Sequence, residues 1–255
     1  MIQRDFTIRV YLQLIDAIRI AGYSFQRFDD YLLNPKSRVV VLRHDVDKKP
    51  ENSLFFAKLQ FERGIKGVYY FRAKKCSWNE RIICEIAEMG HEIGYHYENM
   101  ATVHGNLDKA IIDFQSNLGQ LRKIVPVSTI CMHGSPLSKY DNRDIWKSVN
   151  YHEYQIIGEP YFDVDFNKIL YLTDTGRTWN AGDSSIRDKV KTNFSYSFKS
   201  TGEILHSIQK NELPDNIMFN FHPQRWNEKL VPWIRELLSQ QAKNPIKKII
   251  NSIQT

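Results

Sequence analysis

Short runs of β-branched and aromatic residues alternate along this chain with segments whose apolar residues repeat at helical spacing, and nothing else in it limits the possible folds as much. Tyr11, Leu14, Ile15 and Ile18 share one helical face and Gly22 is a stop signal, which predicts an N-terminal helix over 5–22. Val39-Val40-Val41-Leu42 reads as a strand buried on both sides. Pro50 opens a helix carrying Leu54, Ala57 and Phe61, and Gly64 closes it. Val68–Phe71 is the next strand, Ile82, Ile83, Ile86 and Met89 mark a helix ending at Gly90, and His91–His96 follow as a strand. Leu107, Ile111, Phe114, Leu118 and Leu121 give an amphipathic helix that Pro126 ends before the strand Val127–Cys131. Ile169–Leu172 and Ile217–Phe221 read as further strands, and 232–253 as a terminal helix.

Strand and helix in this alternation predict the α/β class, with a largely parallel sheet and helical crossovers. The nucleotide fingerprints GxGxxG and GxxxxGK[ST] are both absent, which favours a barrel-like closure over an open doubly wound sheet. With no internal repeat or Pro/Gly/Ser linker, residues 1–255 are expected to form one domain. Three cysteines cannot pair completely and show no CxxC spacing, so a disulfide scaffold is excluded and a reducing compartment is expected. The N-terminus lacks the apolar core of a secretory signal, and no apolar stretch approaches the ~20 residues of a membrane span. A soluble, cytoplasmic protein is the expectation. The net charge of +6 is scattered rather than striped, which argues against nucleic acid. Its one cluster, Lys243, Lys247 and Lys248, reads as a solvated helix face, with peripheral contact at the inner membrane as the alternative.

Polar residues gather where the apolar runs end. Arg43-His44-Asp45-Val46-Asp47, His96-Tyr97-Glu98-Asn99, His133-Gly134-Ser135-Pro136, Asp174–Trp179 and His222-Pro223-Gln224-Arg225-Trp226 each follow a strand. In a parallel sheet these ends lie on one side, where α/β sites are built. Each residue alone has a plainer reading: Asp47 is close enough to Pro50 to cap a helix, and a single histidine is usually a satisfied core residue. Together, aspartates and imidazoles without thiolates suit a divalent metal such as Zn²⁺, Fe²⁺, Mn²⁺ or Co²⁺, with Zn²⁺ favoured. A carboxylate to accept a proton and an imidazole to return one would complete a site for metal-assisted hydrolysis of an amide or ester. A serine hydrolase is disfavoured because no GxSxG elbow exists.

Asp45-Val46-Asp47, Gly90-His91-Glu92-Ile93-Gly94-Tyr95-His96 and Phe221-His222-Pro223 resemble, in order, the motifs of the polysaccharide deacetylases (the NodB-homology group, carbohydrate esterase family 4) across about residues 38–226. Arg43–Asp47, His133–Pro136 and Asp174–Trp179 further resemble a subgroup associated with bacterial O-antigen or capsule biosynthesis. The resemblance implies a distorted (β/α) barrel of about seven parallel strands, a divalent metal and N-deacetylation of an acetamido sugar or oligosaccharide. It makes Asp45 the general base, Asp47 and His96 metal ligands, and His222 the general acid.

The chain departs from the pattern at three places. Val46 splits an aspartate pair that is adjacent in the family, Met100 stands where a second metal histidine is expected, and no arginine is evident beside the base. His133 is the expected replacement ligand, ahead of Asn99 and His104, while Arg43, Arg177 and Arg225 are candidates for the arginine. Arg43, Glu98, Asp174, Arg177, Trp179, Arg225 and Trp226 are expected to bind substrate, the two indoles by stacking on a sugar face. His91 is expected to be structural, His104, His152 and His206 to lie in loops or on the surface, and Asp163-Val164-Asp165 to be an amphipathic strand. Two other readings stay open: a glycan-binding or scaffold protein without activity, and a hydrolase of another linear amide.

Overall fold

The structure, a computed structural model, describes residues 4–179 and 187–254. In chain order the elements are α1 (Ile8–Ile20), β1 (Ser24–Gln26), α2 (Phe28–Leu33), β2 (Val39–Val46), α3 (Pro50–Phe61), β3 (Val68–Phe71), α4 (Glu80–Glu88) and β4 (Glu92–Tyr97). There follow α5 (Asn99–Thr102), α6 (Leu107–Arg122), β5 (Ile130–Met132), α7 (Pro160–Asp163), β6 (Leu170–Thr173), α8 (Thr201–Gln209), β7 (Asn216–Phe221) and α9 (Leu230–Gln254). The class is the expected one, α/β with parallel strands and helices on the crossovers. The chain separates into two compact units, one of residues 1–24, 36–40 and 165–255, the other of 25–35 and 41–164.

In the 25–35/41–164 unit the ladders β2–β3, β3–β4 and β4–β5 are all parallel. Helix starts are set locally, as the side chains of Asn79 and Asn106 accept the backbone N–H of Ile82 and Lys109 at the heads of α4 and α6. The cap of α3 is Lys49, in the left-handed region at φ 54° and without a side-chain bond, so Asp47 is not a helix cap. Strand β2 runs four residues past the expected Val39–Leu42, taking Arg43 and Asp45 into a fully buried strand. Their charges satisfy each other there, which is the condition for burying them. Strand β5 is shorter than expected at Ile130–Met132, with Thr129 making an isolated parallel bridge to Gly158 instead. Phe61, expected on the buried face of α3, is 56% exposed. Asp163 belongs to the α7 turn rather than to a strand, its carboxylate accepting from Tyr151 Oη at 2.8 Å and Glu159 N at 2.6 Å.

In the other unit β6 and β7 pair in parallel, with Leu170 opposite Ile217 and Thr173 opposite Asn220. Beside them, Phe6, Tyr11, Trp179, Phe219, Phe221 and Trp226 form a buried aromatic cluster with ring centroids 5.0–6.3 Å apart. α9 begins two residues earlier than expected and continues through Pro245. Among the described residues no helix is long and apolar enough to cross a membrane.

Candidate metal centre

The site follows from the two-residue period of a strand. Residues paired in a parallel ladder project to the same side, and the register places Asp45 opposite Tyr70, Tyr70 opposite Gly94, and His96 opposite Cys131. One face of the four strands therefore carries Arg43, Asp45, Tyr70, Glu92, Gly94, His96 and Cys131, and the same alternation brings Asp47 and His133 to that side just past β2 and β5. The opposite face is structural. There His44 stacks on Tyr69 at 4.1 Å, and its Nδ1 and Nε2 meet Val68 O and Gln60. His91 is held by Gly67 N and Ala57 O, as expected for a structural residue, and burial pushes its imidazole down to about 4. Gly94 has a steric reason: a Cβ there would lie 2.2 Å from the Tyr70 ring, which crosses this position.

Asp47, His96 and His133 converge. Asp47 Oδ1 lies 3.6 Å from His96 Nε2 and 3.5 Å from His133 Nε2, and the two rings stand 5.2 Å apart at 79°. Ligands ~2.1 Å from a tetrahedral ion are ~3.4 Å from one another, and the two separations from Asp47 Oδ1 are of that size, longer than ordinary hydrogen bonds. Both imidazoles are anchored through the other nitrogen, His96 Nδ1 on Cys131 O at 2.9 Å and His133 Nδ1 on Glu98 Oε2 at 3.1 Å. Nε2 of each is thus the nitrogen turned toward Asp47, as metal-ligating histidines require. His96 is almost fully buried, whereas the Asp47 and His133 side chains keep 20% and 15% exposure.

Burial works against a charged His96, but the carboxylates of Asp45 and Asp47 outweigh it and raise its affinity for a proton. Burial dominates at His133 and lowers it. Glu98, expected to bind substrate, instead supports His133. It receives Arg72 through Nε at 3.1 Å and Nη2 at 2.8 and 3.0 Å. Burial opposes its charge, yet His133 and Arg72 hold the carboxyl down at about 2. Arg72 also donates to Asp47 O at 3.2 Å, joining both sides of the centre. Sequence reasoning missed Arg72, although it directly follows the β3 run; the signal was a sixth strand end bearing a charge.

Arg43 is the arginine beside Asp45. It clasps the carboxylate with Nε–Oδ1 at 2.9 Å and Nη2–Oδ2 at 2.7 Å, and its guanidinium lies 5.2 Å from the Tyr161 ring. The expected substrate-binding role of Arg43 gives way to holding Asp45. The ligand atoms of Asp45, His96 and Cys131 also fall within 4.8 Å of one another. Asp47, His96 and His133 are a second possible donor set, joined through Asp47 Oδ1. Met100 is buried in α5; Asn99 bonds Tyr95 and Asp113, and His104 is exposed, so neither alternative ligand is used that way.

In the unit of 1–24, 36–40 and 165–255, His222 Nδ1 donates to Asp174 Oδ1 at 2.6 Å and its backbone N to Oδ2 at 2.9 Å. Arg225 Nη1 reaches Asp174 Oδ1 at 2.9 Å and Trp226 Nε1 reaches Oδ2 at 2.6 Å. Burial raises the Asp174 carboxyl, but His222 and Arg225 overcome it and hold it ionised below its ordinary range. Asp174, Arg225 and Trp226 thus orient His222 rather than meet a substrate. The stacking role expected of Trp179 and Trp226 does not hold, because they are only 3% and 1% exposed. Arg177 packs over Trp233 at 4.7 Å and donates to its carbonyl at 2.9 Å, a structural place.

No protein-family model matches the chain, and no curated protein matches it. Similar solved structures include a carbohydrate esterase family 4 pseudoenzyme from Bacillus anthracis (13% identity, TM-score 0.47, covering 82% of this chain and 63% of that one). Others are a family 4 carbohydrate esterase from Streptomyces lividans in complex with acetate (13% identity, TM-score 0.41, 81% and 88% covered) and a family 4 carbohydrate esterase of Bacillus subtilis (9% identity, TM-score 0.39, 91% and 84% covered). The chain spans less than two thirds of the length of the Bacillus anthracis protein.

Proposed function

We propose that this chain is a metal-dependent N-deacetylase of an acetamido sugar used in bacterial surface-polysaccharide synthesis, with Asp47, His96 and His133 holding one divalent cation, Zn²⁺ before Fe²⁺, Co²⁺ or Mn²⁺. The observation that carries the reading is the convergence of Asp47 Oδ1 and two Nε2 atoms, each histidine fixed through Nδ1. Two imidazoles and a carboxylate are a catalytic donor set for such metals. The bound cation would supply Lewis acidity, lowering the pKa of water toward ~7 and polarising the amide carbonyl.

The chain's own groups do the rest. Asp45 Oδ2 lies 3.7 Å from His96 Nε2, beside the centre, where it accepts the proton of the attacking water. Arg43 keeps that carboxylate oriented and ionised through its two-point grip. Asp174 fixes the proton on His222 Nδ1, which leaves Nε2 as the exchanging nitrogen for the general-acid role the motif resemblance gives His222.

Acetate release from N-acetylated sugars of graded length tests the reading, with Asp45→Asn as the diagnostic variant. Loss of turnover with metal affinity retained is the expected result. Unchanged hydrolysis of every accepted sugar by Asp45→Asn would remove Asp45 as base. Sugar binding that persists in chelator, with no turnover under any metal, would establish the non-enzymatic glycan-binding alternative.

A further inference from the structure

Helix α9 is amphipathic in the inverted sense. A surface helix ordinarily turns its apolar stripe to the core and its polar one to water. Two stripes run along α9, Trp233, Glu236, Gln240 and Asn244 in one and Val231, Ile234, Leu238 and Ala242 in the other. They are offset by two positions, which is ~200° of helical turn, so they lie on opposite sides. The polar stripe faces inward. Glu236 and Gln240 are buried and share a hydrogen bond of 2.7 Å, Trp233 Nε1 donates to Asp5 O at 2.6 Å, and Asn244 Nδ2 donates to Gly176 O at 3.0 Å. These bonds hold the helix against its own unit by its polar side. The apolar stripe faces outward, with Val231, Ile234 and Leu238 67%, 39% and 59% exposed and Ala242 exposed beyond them.

Charge follows the same division. Glu236 is the only acidic residue in the sequence of α9 and belongs to the inward side. Arg235 and Lys243, each next in sequence to a residue of the apolar stripe, are exposed. A second copy of this face would set Arg235 and Lys243 against like charges, with no acidic residue to pair them, which disfavours self-association. An anionic lipid surface suits both halves of the pattern: the acyl boundary takes the apolar stripe and the headgroups take the cations.

We infer that α9 docks this protein on an anionic lipid bilayer, lying along the headgroup boundary with Val231, Ile234, Leu238 and Ala242 turned into it. The inference stands apart from the reading of the metal centre and from its tests.

Co-sedimentation of the full chain with vesicles tests it, using equal parts phosphatidylglycerol and phosphatidylethanolamine in one set and phosphatidylcholine alone in the other. The variants are Leu238→Glu, the pair Arg235→Gln and Lys243→Gln, and Ile112→Glu, which makes the same apolar-to-acidic change on α6 at a residue 66% exposed. Wild type should partition about tenfold or more in favour of the anionic vesicles, and added salt should shrink that preference. Each cation removed should lower partitioning by about fivefold. Leu238→Glu should lower it by about tenfold or more, and Ile112→Glu should match wild type. Because the substituted α9 side chains are exposed, urea midpoints of these variants should stay near that of wild type.

Equal partitioning onto both kinds of vesicle, or full binding by Leu238→Glu, would overturn the inference. So would a loss in Ile112→Glu as large as that in Leu238→Glu. Sedimentation velocity without lipid decides about the other occupant: a dimer that Leu238→Glu dissociates would give the stripe to a second copy of the chain and overturn the lipid assignment.

Discussion

Replacing Glu98 with glutamine removes one charge and almost no volume, and the structure fixes what that charge does. Glu98 Oε2 holds His133 Nδ1 at 3.1 Å, and both oxygens receive Arg72. In Glu98→Gln the amide oxygen still accepts from one partner, but the charge that raises His133 basicity and pairs with Arg72 is gone. Loss of such a carboxylate–histidine support costs 10–100-fold in metal affinity, about 1.4–2.8 kcal/mol. Arg72 is only 17% exposed and keeps the Asp47 carbonyl at 3.2 Å as a partner. The added cost to folding therefore falls below the ~3–5 kcal/mol of a fully buried broken pair, at about 2 kcal/mol. Zinc titration of metal-free protein against a chromophoric chelator, with urea unfolding of the apoprotein, reads the two effects separately. The same substitution in a His133→Ala background, titrated to zinc concentrations high enough to reach the weakened remaining ligands, completes a double-mutant cycle. If Glu98 acts through His133, its effect on affinity should nearly vanish in that background. An equal loss with and without His133 would refute the reasoning.

Two more predictions concern the sheet beneath the centre. Gly94→Ala places a Cβ 2.2 Å from the Tyr70 ring, and a rigid ring can yield only by moving; the urea midpoint should fall by the equivalent of about 2–3 kcal/mol or more, against little change for Gly119→Ala, where the added atom meets open space. Glu92 is pushed up by burial, and further by Asp29, to about 8, and Glu159 by burial to about 7. Their folded values lie above the unfolded one, so the stability they confer is full below about pH 4.5 and is lost as pH rises from there through 7–8, by up to ~1.4 kcal/mol per pH unit for each group, with no further loss above. Unfolding free energy measured across about pH 5–9 should decline and level off above about 8, and Glu92→Gln should flatten that decline; an unchanged slope would show that Glu92 does not bind its proton in the folded chain.

α1 and α6 were legible because one face of each is buried and its apolar residues recur at helical spacing, and β3 and β7 because burial on both faces leaves an unbroken apolar run. β1, α2 and α8 were missed, the first two because they span only Ser24–Gln26 and Phe28–Leu33 and show no complete period. Residues gathered at strand ends could be read from sequence, but not what each one touches. Glu98 and Asp174 look like substrate contacts on the chain, and both prove to be carboxylates behind a histidine. That distinction depends on β4, β5, β6 and β7 being adjacent to particular partners, which no local pattern encodes. Arg43 was similarly ambiguous until β2 proved to continue through Asp45, placing both side chains on one face two residues apart. Trp179 and Trp226 misled because an indole next to an arginine reads the same whether it faces a ligand or a core.

The metal centre itself is the claim on which the rest depends, and elemental analysis with zinc titration reaches it most directly. Wild type, His96→Ala, His133→Ala and Met100→His are the necessary set. Wild type should hold about one equivalent of divalent metal, lost in both alanine variants, with no gain from Met100→His if His133 fills that role. Metal retained at full affinity in His133→Ala, or bound only after Met100→His, would contradict the claim.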